Sequence, residues 1–383
     1  MNDIRTAQRL EKIPEYVFSR LAKIVAEVEK ETKRKVLNLG PGSPDVRPSE
    51  MYLKKLAEYI EEPKSHLYPG YRAIPEFADA LAQWHQNRFG VTLVEDEMLP
   101  LLGAKDGVSH LPIALADEGD EVLVPNPGYP AYIEPTLMVG AKPVPYDLSP
   151  QDGFRMSIAS LEKLVSSKTK YIWVNFPSNP TGQVATLQEL EEIVAFCRKH
   201  NVILVYDNAY SEITFDGFVA PSILQVKDAK DVAVEIGSFS KSFSFAGFRM
   251  GWMVGNRDVI AALAKVKSQL DSGLSLPLQK LGAFALTHRD ERWRVEMIAS
   301  YRGRRDIIAA KLKKLGLEFS LPKGALYLWA KIPDAASSSE DFCIGLLKEK
   351  QVLLTPGSAF GSNGERFVRV SICANIDAID EYI

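Results

Sequence analysis

Apolar positions along the chain follow two periods. Short apolar runs at Met98–Leu102, Glu121–Pro125, Tyr171–Asn175, Val202–Asp207, Val232–Gly237 and Gly251–Gly255 predict strands. Between them the spacing turns helical, over about 49 to 62, 75 to 88, 187 to 199 and, as helix, loop and helix, 257 to 287. A further apolar helix follows Gly107 through Leu111, Ile113 and Leu115, and an amphipathic one is predicted over 14 to 34 through Val17, Leu21, Ile24, Val25 and Val28. Strand alternating with helix predicts an α/β fold with a largely parallel sheet.

After residue 287 the pattern changes. A charged helix near 290 to 315 precedes Leu326–Ala330, a helix near 338 to 350, Val352–Leu354 and Phe367–Ile372, and Asp377 to Ile383 read as a helix just beginning. Shorter and sparser elements predict a smaller α+β unit packed on the α/β one. The stretch Leu37–Asp45 carries too many glycines and prolines for a regular element, and it allows backbone to approach a ligand.

Open α/β sheets bind ligands outside the carboxyl ends of their strands, so the residues at those ends carry the chemical reading. Gly103-Ala104-Lys105-Asp106-Gly107 is a glycine turn leading into a helix, where free N–H groups favour an anion. Tyr129 follows a strand and can stack on a flat ring, Asn179 offers an amide on a tight loop, and Asp207 ends an apolar strand. A carboxylate there is costly without a partner. Ser238-Phe239-Ser240-Lys241 places a lysine among hydroxyls, and Arg249 follows eight positions later. Neighbouring cations or an apolar setting lower a lysine pKa and make its amine a nucleophile able to form an imine. Arg249 with Ser238 and Ser240 suits a dianion such as a phosphate. Each feature alone also fits an ordinary loop or core position.

Composition narrows the rest. The chain has 383 residues, 46% hydrophobic and 25% charged, long enough for two domains. A net charge of -3 gives no broad attraction to nucleic acid or an anionic membrane. Cys197, Cys343 and Cys373 are far apart and show no metal or disulfide spacing, and the five histidines show no ligand spacing, so no metal is expected. No signal peptide or membrane span is read, which predicts a cytoplasmic protein.

Taken together and in this order, these residues closely resemble the fold type I pyridoxal-phosphate aminotransferases of class I/II, over nearly the whole chain. The resemblance implies a mostly parallel seven-stranded sheet with helices on both faces in a large domain over 46–287. A small α+β domain would be built from 1–45 and 288–383. It implies that Lys241 forms the imine with the cofactor, Asp207 pairs with the pyridine nitrogen, and Tyr210 and Asn179 donate to the ring's phenolic oxygen. It also implies that Tyr129 stacks on the ring. Ser238, Ser240, Arg249 and the backbone of Ala104 and Lys105 would hold the phosphate. Arg369, with the backbone of Gly42 and with Asn179, would bind the substrate α-carboxylate. Tyr68 would cross a homodimer interface to the partner subunit's phosphate. Ala73 departs from the family pattern, where a glycine is common, and Phe248 replaces a common tryptophan. The chain stops slightly short of the family's last helix, an expectation of missing C-terminal residues.

The entry segment Arg9–Phe18, the run Pro127–Tyr132 and Asp207–Ile213 are most similar to the group containing LL-diaminopimelate, alanine and aspartate aminotransferases. The implied reaction moves an amino group between an L-amino acid and a 2-oxo acid. A lyase or decarboxylase on the same fold stays open, because electron withdrawal by the ring supports several bond cleavages. A non-catalytic ligand-binding module is disfavoured by the joint presence of Lys241, Asp207 and Arg369. A dinucleotide enzyme lacks its G-x-G-x-x-G.

Overall fold

The computed structural model describes residues 5–13 and 17–383. In chain order its strands are β1 (Leu37–Asn38), β2 (Met98–Leu101), β3 (Glu121–Asn126), β4 (Lys142–Asp147), β5 (Thr169–Asn175) and β6 (Ile203–Asp207). They continue with β7 (Ala233–Ser238), β8 (Gly251–Gly255), β9 (Tyr327–Lys331), β10 (Val352–Leu353), β11 (Thr355–Pro356) and β12 (Phe367–Ser371). A seven-stranded sheet runs β2-β8-β7-β6-β5-β3-β4. Every pair from β7 to β4 is parallel, and β8 is antiparallel to both its neighbours.

Successive side chains on a strand point to opposite faces. Val122, Val124, Tyr171, Trp173, Val234 and Ile236 pack on one face with residues of the helices Ala104–Leu115 and Arg257–Leu270. Leu123, Ile172, Val174, Leu204 and Tyr206 pack on the other with residues of Pro75–Phe89, Leu187–His200 and Leu276–Thr287. Burial on both faces is why these strands read as continuous apolar runs rather than as alternation. The helices are bounded locally: Thr186 and Glu189 cap each other's backbone N–H at the start of Leu187–His200, and Asn201 ends it with a left-handed φ of 54°.

Three strands were not expected: β1, β4 and the two-residue β11, which pairs with β12. β4 contains Pro143 and Pro145, which hide its strand pattern, yet it lies at the sheet edge, where one side of the backbone owes no ladder bonds. β1 lies in the Gly/Pro stretch read as irregular. It pairs parallel with β10, and the Leu37 and Leu39 N–H groups donate to Gln351 and Leu353 at 2.8 and 2.9 Å. A distant partner supplies what local sequence does not.

β11, β12 and β9 form an antiparallel sheet. Val368, Val370 and Leu328 from it share a core with Met297, Tyr301 and Ile308 of the long helix Glu291–Lys314 and with Tyr210, Ile213 and Phe215 beyond β6. The predicted helix over 14 to 34 is seen at Val17–Thr32; residues 14 to 16 lie outside the described residues. The last predicted helix is a 3-10 turn, Ile379–Glu381. Among the described residues no helix is long and apolar enough to cross a membrane.

Candidate active site

The carboxyl ends of β5, β6 and β7 face the 38–45 stretch and β12 across a cleft of about 380 Å³. Asp207 is the last residue of β6 and is buried. Its carboxylate accepts from the Tyr132 hydroxyl at 2.7 Å and from the Ala209 N–H at 3.1 Å. Burial pushes its pKa up; the Tyr132 and Ala209 hydrogen bonds and the nearby Lys241 oppose the shift. Tyr132 itself is stacked on Trp173, centroids 4.6 Å apart at 14°, so the phenol that holds Asp207 is fixed by the sheet core.

Lys241 lies in the one-turn helix Phe239–Ser242 that follows β7 directly. Its ammonium donates to the Gly42 carbonyl at 2.6 Å. Burial lowers its pKa to about 8, Arg369 and Arg249 push the same way, and Cys373 and Asp207 oppose. That places a neutral amine within reach of physiological pH.

The anion turn differs from the expectation in one respect. The helix starts at Ala104, so Gly107 is helical and only Gly103, at φ 82°, makes the turn. Asp106 fixes that entry: it accepts the Leu102 N–H at 2.8 Å and pairs with buried Lys267. A Cβ on Gly103 would collide with the Arg249 guanidinium, so the glycine is required by close approach as well as by its φ. Arg249 is left-handed too, φ 55°, and donates to the Ala246 carbonyl at 2.9 Å. Ser238 accepts from the Ser240 N–H at 3.1 Å. The first helical turn, two hydroxyls and a guanidinium therefore line one recess.

Arg369, on β12, is 2% exposed. It donates to the Asn179 side-chain oxygen and to the Gly40 carbonyl, both at 2.8 Å. Asn179 is held by its own N–H on the Asn175 side chain at 2.8 Å, and its amide nitrogen is then the end able to meet a ligand oxygen. Asn175 also donates to the Asp207 carbonyl at 2.8 Å, tying the two strand ends together.

Gly42, Ala104, Lys105, Tyr129, Asn179, Asp207, Tyr210, Ser238, Ser240, Lys241, Arg249 and Arg369 all line this cleft. Tyr68 does not; it is 87% exposed. Tyr132, Asn175 and Tyr327 line it without having been singled out from sequence. Tyr132 stood in the quoted Pro127–Tyr132 run, three positions beyond Tyr129, and that run was its only signal. Among the described residues, Asp106, His110 and Asp271 are the one group close enough to share a cation, and Lys267 already pairs with both carboxylates.

The lining carries Lys105, Lys241, Arg249 and Arg369 against the single carboxylate of Asp207. Such a cleft suits a ligand with more than one anionic group. The residues fit a phosphorylated pyridine: the first turn of the helix Ala104–Leu115, Ser238, Ser240 and Arg249 line one recess with the donors a phosphate needs, and the buried Asp207 carboxylate is a counter-charge for a ring nitrogen bearing a proton.

Residues 34–381 match the family model of class I and II aminotransferases. An LL-diaminopimelate aminotransferase of Halothermothrix orenii is 35% identical over 99% of this chain and 97% of its own length. Among solved structures, BacF from Bacillus subtilis superposes with TM-score 0.93 at 34% identity, covering 99% of this chain and 97% of that one. An aspartate aminotransferase from Thermotoga maritima gives 0.89 at 29%, covering 98% and 97%.

Proposed function

The chain belongs to the class I and II aminotransferases, a family dependent on pyridoxal phosphate, and from that premise we propose its reaction and the role of each residue. It transfers an amino group between an L-amino acid and a 2-oxo acid in ping-pong order. Glutamate with 2-oxoglutarate is one pair, and LL-diaminopimelate, alanine or aspartate supplies the other. Relatives named as LL-diaminopimelate and aspartate aminotransferases support those two members of the choice. The observation that carries the reading is one cleft holding Lys241, with its lowered pKa, between Asp207 and two arginines.

Bound pyridoxal phosphate supplies an electron-withdrawing ring that stabilises negative charge at the substrate α-carbon. Ser238, Ser240, Arg249 and the first N–H groups of the helix Ala104–Leu115, at Ala104 and Lys105, hold the phosphate. Asp207 keeps a proton on the pyridine nitrogen, Tyr129 covers the ring face, and Tyr210 and Asn179 donate to the phenolic oxygen. Arg369 grips the α-carboxylate with a planar fork, with the backbone of Gly42 beside it. Lys241, as the neutral amine, would take the substrate α-proton on Nζ. Tyr68, exposed on the single chain, is assigned to the partner subunit's phosphate in a homodimer. We divide the chain into 46–287 as the cofactor domain and 1–45 with 288–383 as the small domain, and place the enzyme in the cytoplasm.

A screen of alanine, aspartate and LL-diaminopimelate as donors to 2-oxoglutarate tests this. Glutamate formation that requires the 2-oxo acid is expected. Ammonia or thiol release without an acceptor would instead identify a lyase.

A further inference from the structure

Tyr327 is the first residue of β9 and lines the cleft. Its ring centroid lies 4.3 Å from the Arg369 guanidinium carbon, and Phe360 lies 4.7 Å from the same carbon. Its hydroxyl is 2.8 Å from the Tyr210 hydroxyl, and both rings are buried. The same hydroxyl occupies the space beside Gly42, where any Cβ would collide with it. One side chain thus touches the carboxylate arginine, the glycine that receives Lys241, and the phenol assigned to the cofactor oxygen.

We propose that Tyr327 is a positioning residue for amino transfer: its ring fixes the Arg369 fork, and its hydroxyl donates to Tyr210, directing the Tyr210 proton into the cleft. This rests on the pyridoxal-phosphate reading above. A phenol has one proton and accepts on its oxygen. Of two bonded hydroxyls, one donates and the other accepts. If Tyr210 donated to Tyr327, it would have no proton left for a ligand oxygen. With Tyr327 as donor, Tyr210 accepts and its own O–H is polarised for donation outward. Tyr210 stays neutral in this arrangement: burial and then Tyr327 push its pKa well above the ordinary range, Asp207 adds to this, and Arg369 opposes. The charged groups that face Tyr210 and Lys241 are Arg369, Arg249 and Asp207, with the Cys373 thiol also near Lys241.

A donor on a phenolic oxygen holds its negative charge and lowers the basicity of a nitrogen beside it. Weakening that donor raises the pH at which the holoenzyme's visible absorbance changes. For Tyr327→Phe, the absorbance titration should move up by about half a pH unit, while KM for the amino donor stays within about twofold because the ring remains. For Tyr327→Leu the same upward shift is expected, with KM raised about tenfold as the arginine loses its aromatic floor. In a Tyr210→Phe background, adding Tyr327→Phe should shift the midpoint no further. An unshifted Tyr327→Phe, additive shifts in the double variant, or a wild-type KM in Tyr327→Leu would each overturn the proposal. Should Tyr327→Phe fail to fold, Tyr327→Leu, alone and in the Tyr210→Phe background, reads the same bond. A wild-type protein that takes up no pyridoxal phosphate and shows no visible band defeats the parent reading instead, so the two failures are distinguishable.

Discussion

The two walls of the cleft are built differently. The sheet-edge wall, with Asp207, Ser238 and Lys241, consists of residues at or just beyond the ends of β6 and β7, held by near neighbours such as the Ala209 and Ser240 N–H groups. The facing wall, with Arg369, Tyr327, Gly40 and Gly42, is assembled from chain segments hundreds of residues apart. A parallel sheet delivers its strand ends to one edge by topology, so local order suffices there. The arginine wall exists only once β9, β12 and the 38–45 stretch have packed together. Damage to the first wall should therefore appear in chemistry and cofactor colour, and damage to the second in substrate affinity.

The largest effect tests the first wall. Lys241→Ala should abolish turnover and the covalent adduct trapped by borohydride; a normally active variant would sink the assignment. Asp207→Asn comes next, with kcat expected to fall about 10²–10³-fold at nearly constant KM. Arg369→Leu mirrors it, raising KM for amino and 2-oxo acids by about 10²-fold, as loss of a charge-assisted fork implies. Steady-state kinetics on both variants decide whether the walls separate; an equal fall in kcat for both would erase the distinction. The smallest effect joins the walls. Amine acetylation of Lys241 in cofactor-free protein, followed by peptide mapping, should titrate near pH 8 rather than near 10.5. The lowered pKa means that the neutral, reactive form prevails above that midpoint. Arg369→Leu removes a cation that disfavours the ammonium, so it should move the midpoint upward. A wild-type midpoint above 10 would contradict the lowered value.

Much of the first wall was legible in the chain. Asp207 ends an apolar strand, Lys241 follows one, and the sheet joins both strands in register, Asp207 pairing with Ile236. Arg369 was named because its strand resembles a known one, whereas its contacts with Asn179 and Gly40 were not readable. Tyr132 was missed because a tyrosine after a strand looks like core, and its hydroxyl partner lies 75 positions away. Tyr68 keeps its proposed task outside the single chain.

By itself the sequence determined the alternating strands and helices, their order and the chemical groups at the strand ends. These follow from hydrophobic period and turn chemistry, which act over a few residues. Only the tertiary structure decided which side chains share a hydrogen bond: Tyr132 on Asp207, Tyr327 beside Tyr210, Arg369 across to Gly40. It also decided that β1 and β4 are strands, through a parallel partner for one and an edge position for the other. Such pairings depend on how distant segments pack in three dimensions. Local propensity carries no record of that packing.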